Sequence, residues 1–327
     1  MKKKLLPLAI AAAMAPGFAS AAADVSGFVD IIYTIADDSG QVAPATTNSN
    51  EGKFKADGEV DFSASPTDGV TVRVDVDLAL GLNGGANGSG PVNTGPADSG
   101  TIEQAFFAWG ATEGVTVIGG VFNNPIGYEA EDAPDIDFTS RGYVYSTLDG
   151  QTTLAGDNIA GLAVAGVVGP ATITAALLND LGQVNDENSI AFVVNYTPIE
   201  GLDLEAGLVT QTSKGTATAL GTSAGDVTNF NVVYAPTQVA GLTVGLDYLD
   251  ADALTDSMYD LWAGYSFGAA AVKARLSDDG TASATSLYAS YQVAPNLAAA
   301  LEIRSDDPGT AGSTTSDMTT LELIASF

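Results

Sequence analysis

Short turns recur along this chain, each followed by a run of β-type residues. They read SPTDGVTVRVDVDL (65–78), ATEGVTVIGGVF (111–122), TPIEGLDLEAGLV (197–209), APTQVAGLTVGLDY (235–248) and APNLAAALEI (294–303). Tight turns of Pro, Asp, Asn and Gly join antiparallel neighbours. Between them lie longer stretches rich in Gly, Asn, Asp and Thr, at 37–51, 82–100, 123–151, 179–188, 214–226, 251–257, 278–282 and 306–316. Short turns at one end of the strands and long loops at the other are the signature of an outer-membrane β-barrel.

The β-runs number about sixteen, at 25–36, 52–64, 70–81, 101–110, 115–122, 158–168, 170–178, 189–197, 202–213, 227–235, 241–250, 258–267, 269–277, 283–293, 296–305 and 317–327. An even count is what bacterial barrels use. Alternation is clearest in the third run. Val70, Val72, Val74, Val76, Leu78 and Leu80 share one face, and Thr71, Arg73, Asp75 and Asp77 share the other. In the last run Leu321, Leu323, Ala325 and Phe327 oppose Glu322 and Ser326. Period-two alternation fits a soluble sandwich as well. Strand number and loop asymmetry favour a lipid-facing outside and a water-facing inside. Phe62, Trp109, Tyr196, Tyr234, Phe267, Tyr291 and Phe327 each precede a short turn or the chain end, where an interfacial aromatic girdle would lie.

One segment reads differently. Residues 159–178, IAGLAVAGVVGPATITAALL, carry no charge and are long enough for a transmembrane helix. Gly169-Pro170 at the centre favours two strands and a turn, with small Ala and Thr residues inward. A buried helical hairpin is the alternative.

The first residues predict an export signal: Lys2, Lys3 and Lys4, an apolar run from Leu5 to Phe18, then Ala19-Ser20-Ala21-Ala22-Ala23. Residues 1–23 are therefore assigned to a signal peptide and 24–327 to the barrel. Losing three of eleven basic residues while keeping all forty acidic ones moves the net charge from −29 to −32. Such acidity excludes nucleic-acid binding, which needs basic phosphate contacts. Cys and His are absent. No disulfide framework forms, and Ser–His–Asp and Cys-nucleophile catalysis are excluded. The chain is not expected to be an enzyme.

Gly119–Arg141, GGVFNNPIGYEAEDAPDIDFTSR, fits none of the strands. Pro125 and Pro134 oppose regular structure, and Glu129, Glu131, Asp132, Asp135 and Asp137 make it too acidic for an apolar core. The expectation is an irregular loop folded into the lumen, with these five carboxylates at a pore constriction attracting cations. Arg73, Lys273, Arg275 and Arg304 fall on the polar faces of their strands, with Lys53 and Lys55 near the mouth. With Arg141 they are the candidate basic residues of the pore wall. Asp30, Asp57, Glu59, Asp61, Asp75, Asp77, Asp203, Glu205, Asp247 and Glu302 are expected inward too. No cofactor is expected. Asp37-Asp38, Asp278-Asp279-Gly280 and Asp306-Asp307 could hold Ca2+ in external loops, although paired Asp is more often a turn former.

Several stretches resemble known families. VSGFVDIIYTIADDSG resembles the first strand of proteobacterial porins. Residues 119–141 are similar to the G-x-F…x-x-G-Y-E…D-x-P pattern of OmpL-like β-barrel porins, and LAAALEIRSDD (297–307) to that group's penultimate strand and loop. The terminal Phe327 after LELIAS is similar to the aromatic signal read by the barrel-assembly machinery. The resemblance implies pore-forming transport without naming a solute. High acidity with little Arg or Lys departs from an anion carrier. The expected partners are outer-membrane lipid and lipopolysaccharide, small hydrophilic solutes or cations, and further copies in a homotrimer. The alternative function is a plugged barrel with a structural, adhesive or receptor role.

Overall fold

A computed structural model describes residues 23–37, 52–78, 101–151, 157–179, 188–210, 226–252, 254, 256–310, 312–313 and 315–327. The alternating runs form strands β1 (Asp24–Asp37), β2 (Lys53–Thr67), β3 (Val70–Asp77), β4 (Thr101–Thr112), β5 (Val115–Asn123), β6 (Asn158–Val168), β7 (Ala171–Asn179) and β8 (Asn188–Ile199). They continue with β9 (Leu202–Thr210), β10 (Val227–Tyr234), β11 (Leu242–Ala251), β12 (Met258–Phe267), β13 (Ala270–Asp278), β14 (Ser283–Ala294), β15 (Leu297–Asp307) and β16 (Ser316–Ser326). Each strand pairs with its sequence neighbours. β1 closes the ring against β16, from Phe28 opposite Ser326 to Asp37 opposite Asp317. The protein is an antiparallel sixteen-strand barrel.

Side chains sort as the pleat requires. Val72 and Leu78 point outward while Asp75, between them in register, is wholly buried. Leu321, Leu323 and Phe327 are exposed, with Glu322 inside. Of the turn-flanking aromatics, Phe62, Trp109, Tyr196, Phe267, Tyr291 and Phe327 are exposed, and Tyr234 is half-buried. Leu80, Asp38 and nearly all of the expected loops at 37–51, 82–100, 179–188 and 214–226 lie outside the described residues, as do residues 1–22 of the expected leader.

Residues 159–178 form β6, a turn at Gly169-Pro170 and β7, so the helical-hairpin alternative does not hold. Ala163, Ala165, Thr174 and Ala176 face inward and are buried.

The interior has two characters. From β4 to β10 it carries the main apolar cluster, with Ile118, Phe122, Ala163, Ala191, Val193 and Val209 buried there together with Ile126 of the chain leaving β5, alongside polar residues such as Asn229. Acids and bases line the arc from β11 through the seam to β4, including Asp30, Asp75, Asp247, Arg275 and Glu302.

One element was not expected. Residues 143–151, read as irregular loop, contain helix α1 (Tyr143–Gln151). A helix start leaves backbone N–H groups unpaired. Here Asp260 of β12 supplies the acceptors, taking hydrogen bonds from the amides of Tyr143 (3.1 Å) and Val144 (2.9 Å). Val144 and Leu148, four residues apart on one helical face, bury against the apolar interior beside Met258 and Leu249. The cap comes from a distant strand, so local sequence does not announce it.

Candidate functional site: a loop laid across the lumen

After β5 the chain turns inward. Ile126 is fully buried, with its branch over Gly207 of β9. A Cβ on Gly207 would stand 2.2 Å from Ile126 Cγ2, so only glycine admits this approach. Backbone amides then bond to wall side chains: Gly127 to Asn229 Oδ1 on β10 (3.0 Å) and Tyr128 to Asp247 Oδ2 on β11 (2.9 Å). The Tyr128 ring stacks on Trp262 of β12 at 4.4 Å between centroids.

The far limb meets the opposite arc. Thr139 Oγ1 donates to Glu322 Oε2 on β16 (2.6 Å), and the Ser140 amide to Glu302 Oε2 on β15 (2.7 Å). Arg275 on β13 donates to Ser140 O (2.8 Å) and covers the Phe138 ring at 4.5 Å. Arg304 on β15 donates to Arg141 O (2.7 Å). Wall contacts from β9 to β16 place residues 124–142 across the barrel interior.

The five loop carboxylates separate into groups. Glu129 accepts from the Gly142 amide (2.9 Å) and lies 3.4 Å from Arg275 and 3.7 Å from Arg141. Burial nevertheless raises its pKa against both guanidinium groups. Asp137 is held by Lys273 Nζ (2.6 Å) and the Tyr128 hydroxyl (2.8 Å). Asp135 borders a cavity of about 370 Å³ that Tyr128, Lys273, Tyr288 and Gln292 also line.

Glu131 and Asp132 turn the other way, toward β2–β4. Carboxylate oxygens of Asp132, Glu59 and Glu103 all lie within 4.8 Å of one another. Burial, then contact with Glu103, pushes Glu131 up to about 11. Burial also raises Asp132, to about 6, with Glu103 adding to the rise while a hydrogen bond with Glu59 and the charge of Arg73 oppose it.

Five of the basic candidates, Arg73, Arg141, Lys273, Arg275 and Arg304, are engaged. Arg73 Nε lies 2.7 Å from both carboxylate oxygens of Asp75, and Nη2 is 3.1 Å from Asp61. Lys273, Arg275 and Arg304 reach the loop from the wall. Arg141 faces its own loop instead. It donates to the carbonyls of Ala130 and Glu131, and its guanidinium lies 4.4 Å from the centre of the Tyr145 ring. It clamps the two limbs together.

Three contributors were missed from sequence: Asp260, Glu103 and Gln104. Asp260 shares a period-two face with Met258 and Trp262, a legible signal. Glu103 and Gln104 are adjacent, so alternation assigns only one of them to the lumen. The β3–β4 ladder slips between Asp75, opposite Gln104, and Val76, opposite Ile102. This bulge leaves Glu103 as the extra residue and buries both side chains, while Ile102 and Phe107 stay outside.

A closed barrel with an apolar outside and a loop strung across a charged interior has the architecture of a porin. The chain belongs to the family described as "Putative beta-barrel porin-2, OmpL-like", whose model matches residues 23–321. No curated protein matches the sequence. Among solved structures, a Rhodopseudomonas blastica porin mutant is similar at a TM-score of 0.61 and 18% identity, covering 94% of this chain and 100% of that one. An anion-selective porin from Comamonas acidovorans is similar at 0.60 and 12%, covering 94% and 99%. A loop-deletion mutant of OmpT from Vibrio cholerae is similar at 0.57 and 14%, with the same coverage. At these identities the likeness is one of fold.

Proposed function

We propose that the protein is an outer-membrane porin whose water-filled channel passes small hydrophilic solutes and prefers cations, with residues 123–141 as the constriction. The observation that carries this is an imbalance of pairing. Lys273, Arg275 and Arg304 are each held by loop groups or by a neighbouring carboxylate. Glu59, Glu103 and Asp132 instead face one another across the gap between wall and loop. A constriction with carboxylates in surplus attracts cations and repels anions. The fold does not set the sign, because an anion-selective porin shares it. Selectivity must come from the chain's own charges. The short turns then face the periplasm and the long loops the exterior, with lipid and lipopolysaccharide against the apolar belt and three copies as the expected assembly. No catalytic role is assigned.

A second reading has its own support. Ile126, Val144 and Leu148 fill part of the lumen against apolar wall residues, as a plug would. Conductance separates the two. In planar bilayers under a KCl gradient, the protein should give open channels with a cation-selective reversal potential. A silent barrel supports the plug, and an anion-selective one overturns the charge argument.

A further inference from the structure

The bulge in β4 builds a pocket of oxygen ligands that pairing within the protein satisfies only in part. Three carboxylates whose oxygens lie within 4.8 Å of one another cannot all ionise without a counter-charge. Arg73 is committed to Asp75 and Asp61, and its nearest nitrogen is 3.8 Å from Glu59 Oε1, beyond a hydrogen bond. Glu59 Oε1 is buried without a hydrogen-bond partner. Glu103 accepts from Asn158 Nδ2 at 2.8 Å and is in contact with a further carboxyl group, Glu131.

A separate observation comes from Gln104. Its side chain is 1% exposed, yet neither Oε1 nor Nε2 has a hydrogen-bond partner. It stands opposite Asp75 in the ladder, and opposed residues in an antiparallel pair leave the sheet on the same face. Its amide is therefore directed to the lumen side, next in sequence to Glu103. Burying an amide with neither its oxygen nor its nitrogen paired is unfavourable. A ligand that takes the amide oxygen would remove part of that cost.

We propose that Glu59, Glu103 and Asp132 form a divalent-cation site, with Gln104 Oε1 as a neutral fourth ligand, and that the ion is calcium. Oxygens no more than 4.8 Å apart are within reach of a single Ca2+, whose ligands at about 2.4 Å can stand up to about 4.8 Å from one another. Mg2+ demands near-ideal octahedral geometry and keeps several of its waters, so a buried cluster of carboxylates and an amide suits calcium better. The ion would bridge β2 and β4 to the loop, fixing the loop's position while cancelling part of the surplus negative charge. The site rests on the channel reading only in lying beside the solute path.

Isothermal titration of the folded barrel in detergent, stripped with EDTA and titrated with CaCl2 at pH 7.5, tests this. The expected result is one saturable Ca2+ site, at least tenfold weaker for Mg2+. Glu103→Gln and Asp132→Asn should each weaken it at least tenfold, and Glu200→Gln in the exposed turn between β8 and β9 should leave it unchanged. Heat modifiability on a gel verifies that each variant is folded. No saturable heat, or heat unchanged by Glu103→Gln, overturns the site and leaves shared protons as the counter-charge. A cation-selective reversal potential in EDTA alongside absent binding would overturn the ion site alone. Saturable binding in a non-conducting barrel would overturn the channel alone.

Discussion

Lys273 Nζ on β13 lies 2.6 Å from Asp137 Oδ1 on the loop, and 5.3 Å from the centre of the Tyr288 ring. Both partners are partly exposed, so the pair contributes about 0.2–1 kcal/mol and the barrel does not depend on it. Its effect is on charge, because each partner hides the other from passing ions. Lys273→Gln should therefore raise the cation-to-anion permeability ratio by releasing Asp137. Asp137→Asn should lower it by releasing Lys273. Reversal potentials under a KCl gradient report both signs, and equal shifts in one direction would contradict the pairing.

Arg275 plays a different part. It is buried, and it joins Glu129, Ser140 and the Phe138 ring. Removing one partner from a buried ionic contact costs about 3–5 kcal/mol, because the other is left uncompensated. Arg275→Ala should free the loop from the wall while the strands remain paired. Arg141 follows Ser140 and is folded into its own clamp, so it should resist trypsin in the parent protein. The variant should gain a tryptic cut after Arg141 and a larger single-channel conductance.

Gly207 tests whether packing holds the near limb. Val at this position drives a Cβ into Ile126, whose Cγ2 stands 2.2 Å from it. Ile126 is wholly buried, and such a side chain contributes about 1.5–3 kcal/mol by leaving water. Gly207→Val should expel it, widening the conducting path without changing heat modifiability. Unchanged conductance would show that the aperture is set elsewhere.

These contacts show why the strands were readable and the loop's anatomy was not. The period-two pattern in residues such as Val70–Leu78 follows from each side chain meeting either lipid or the interior. It exists before any partner strand is known. The boundaries of β6 and β7 follow from Gly169-Pro170 for the same local reason. By contrast, α1 starts where it does because Asp260, more than a hundred residues later, supplies the acceptors for its first amides. Arg141 reads as one more lumen base, but its hydrogen bonds go to carbonyls ten and eleven residues earlier. Glu103 escaped because a bulge breaks the alternation that identified the other inward acids. Long-range pairing and register slips leave no mark at fixed sequence spacing.

Glu131 and Asp132 are adjacent and differ in how they hold protons. Burial and Glu103 push Glu131 up to about 11, so it is neutral throughout the physiological range. Asp132 rises only to about 6, because Glu59 and Arg73 oppose the effect of burial. A carboxyl group is uncharged below its pKa and negative above it. At pH 8 Asp132 therefore contributes a charge to the lumenal loop, and at pH 5 it does not. Measured in EDTA, cation selectivity should fall as pH drops from 8 to 5, with a midpoint near 6. Asp132→Asn should flatten that dependence and hold selectivity at its low-pH value. Glu131→Gln should leave the profile nearly unchanged, since it replaces one neutral group by another. A profile that follows Glu131 would reverse the assignment of the two residues and move the controlling charge one position along the loop.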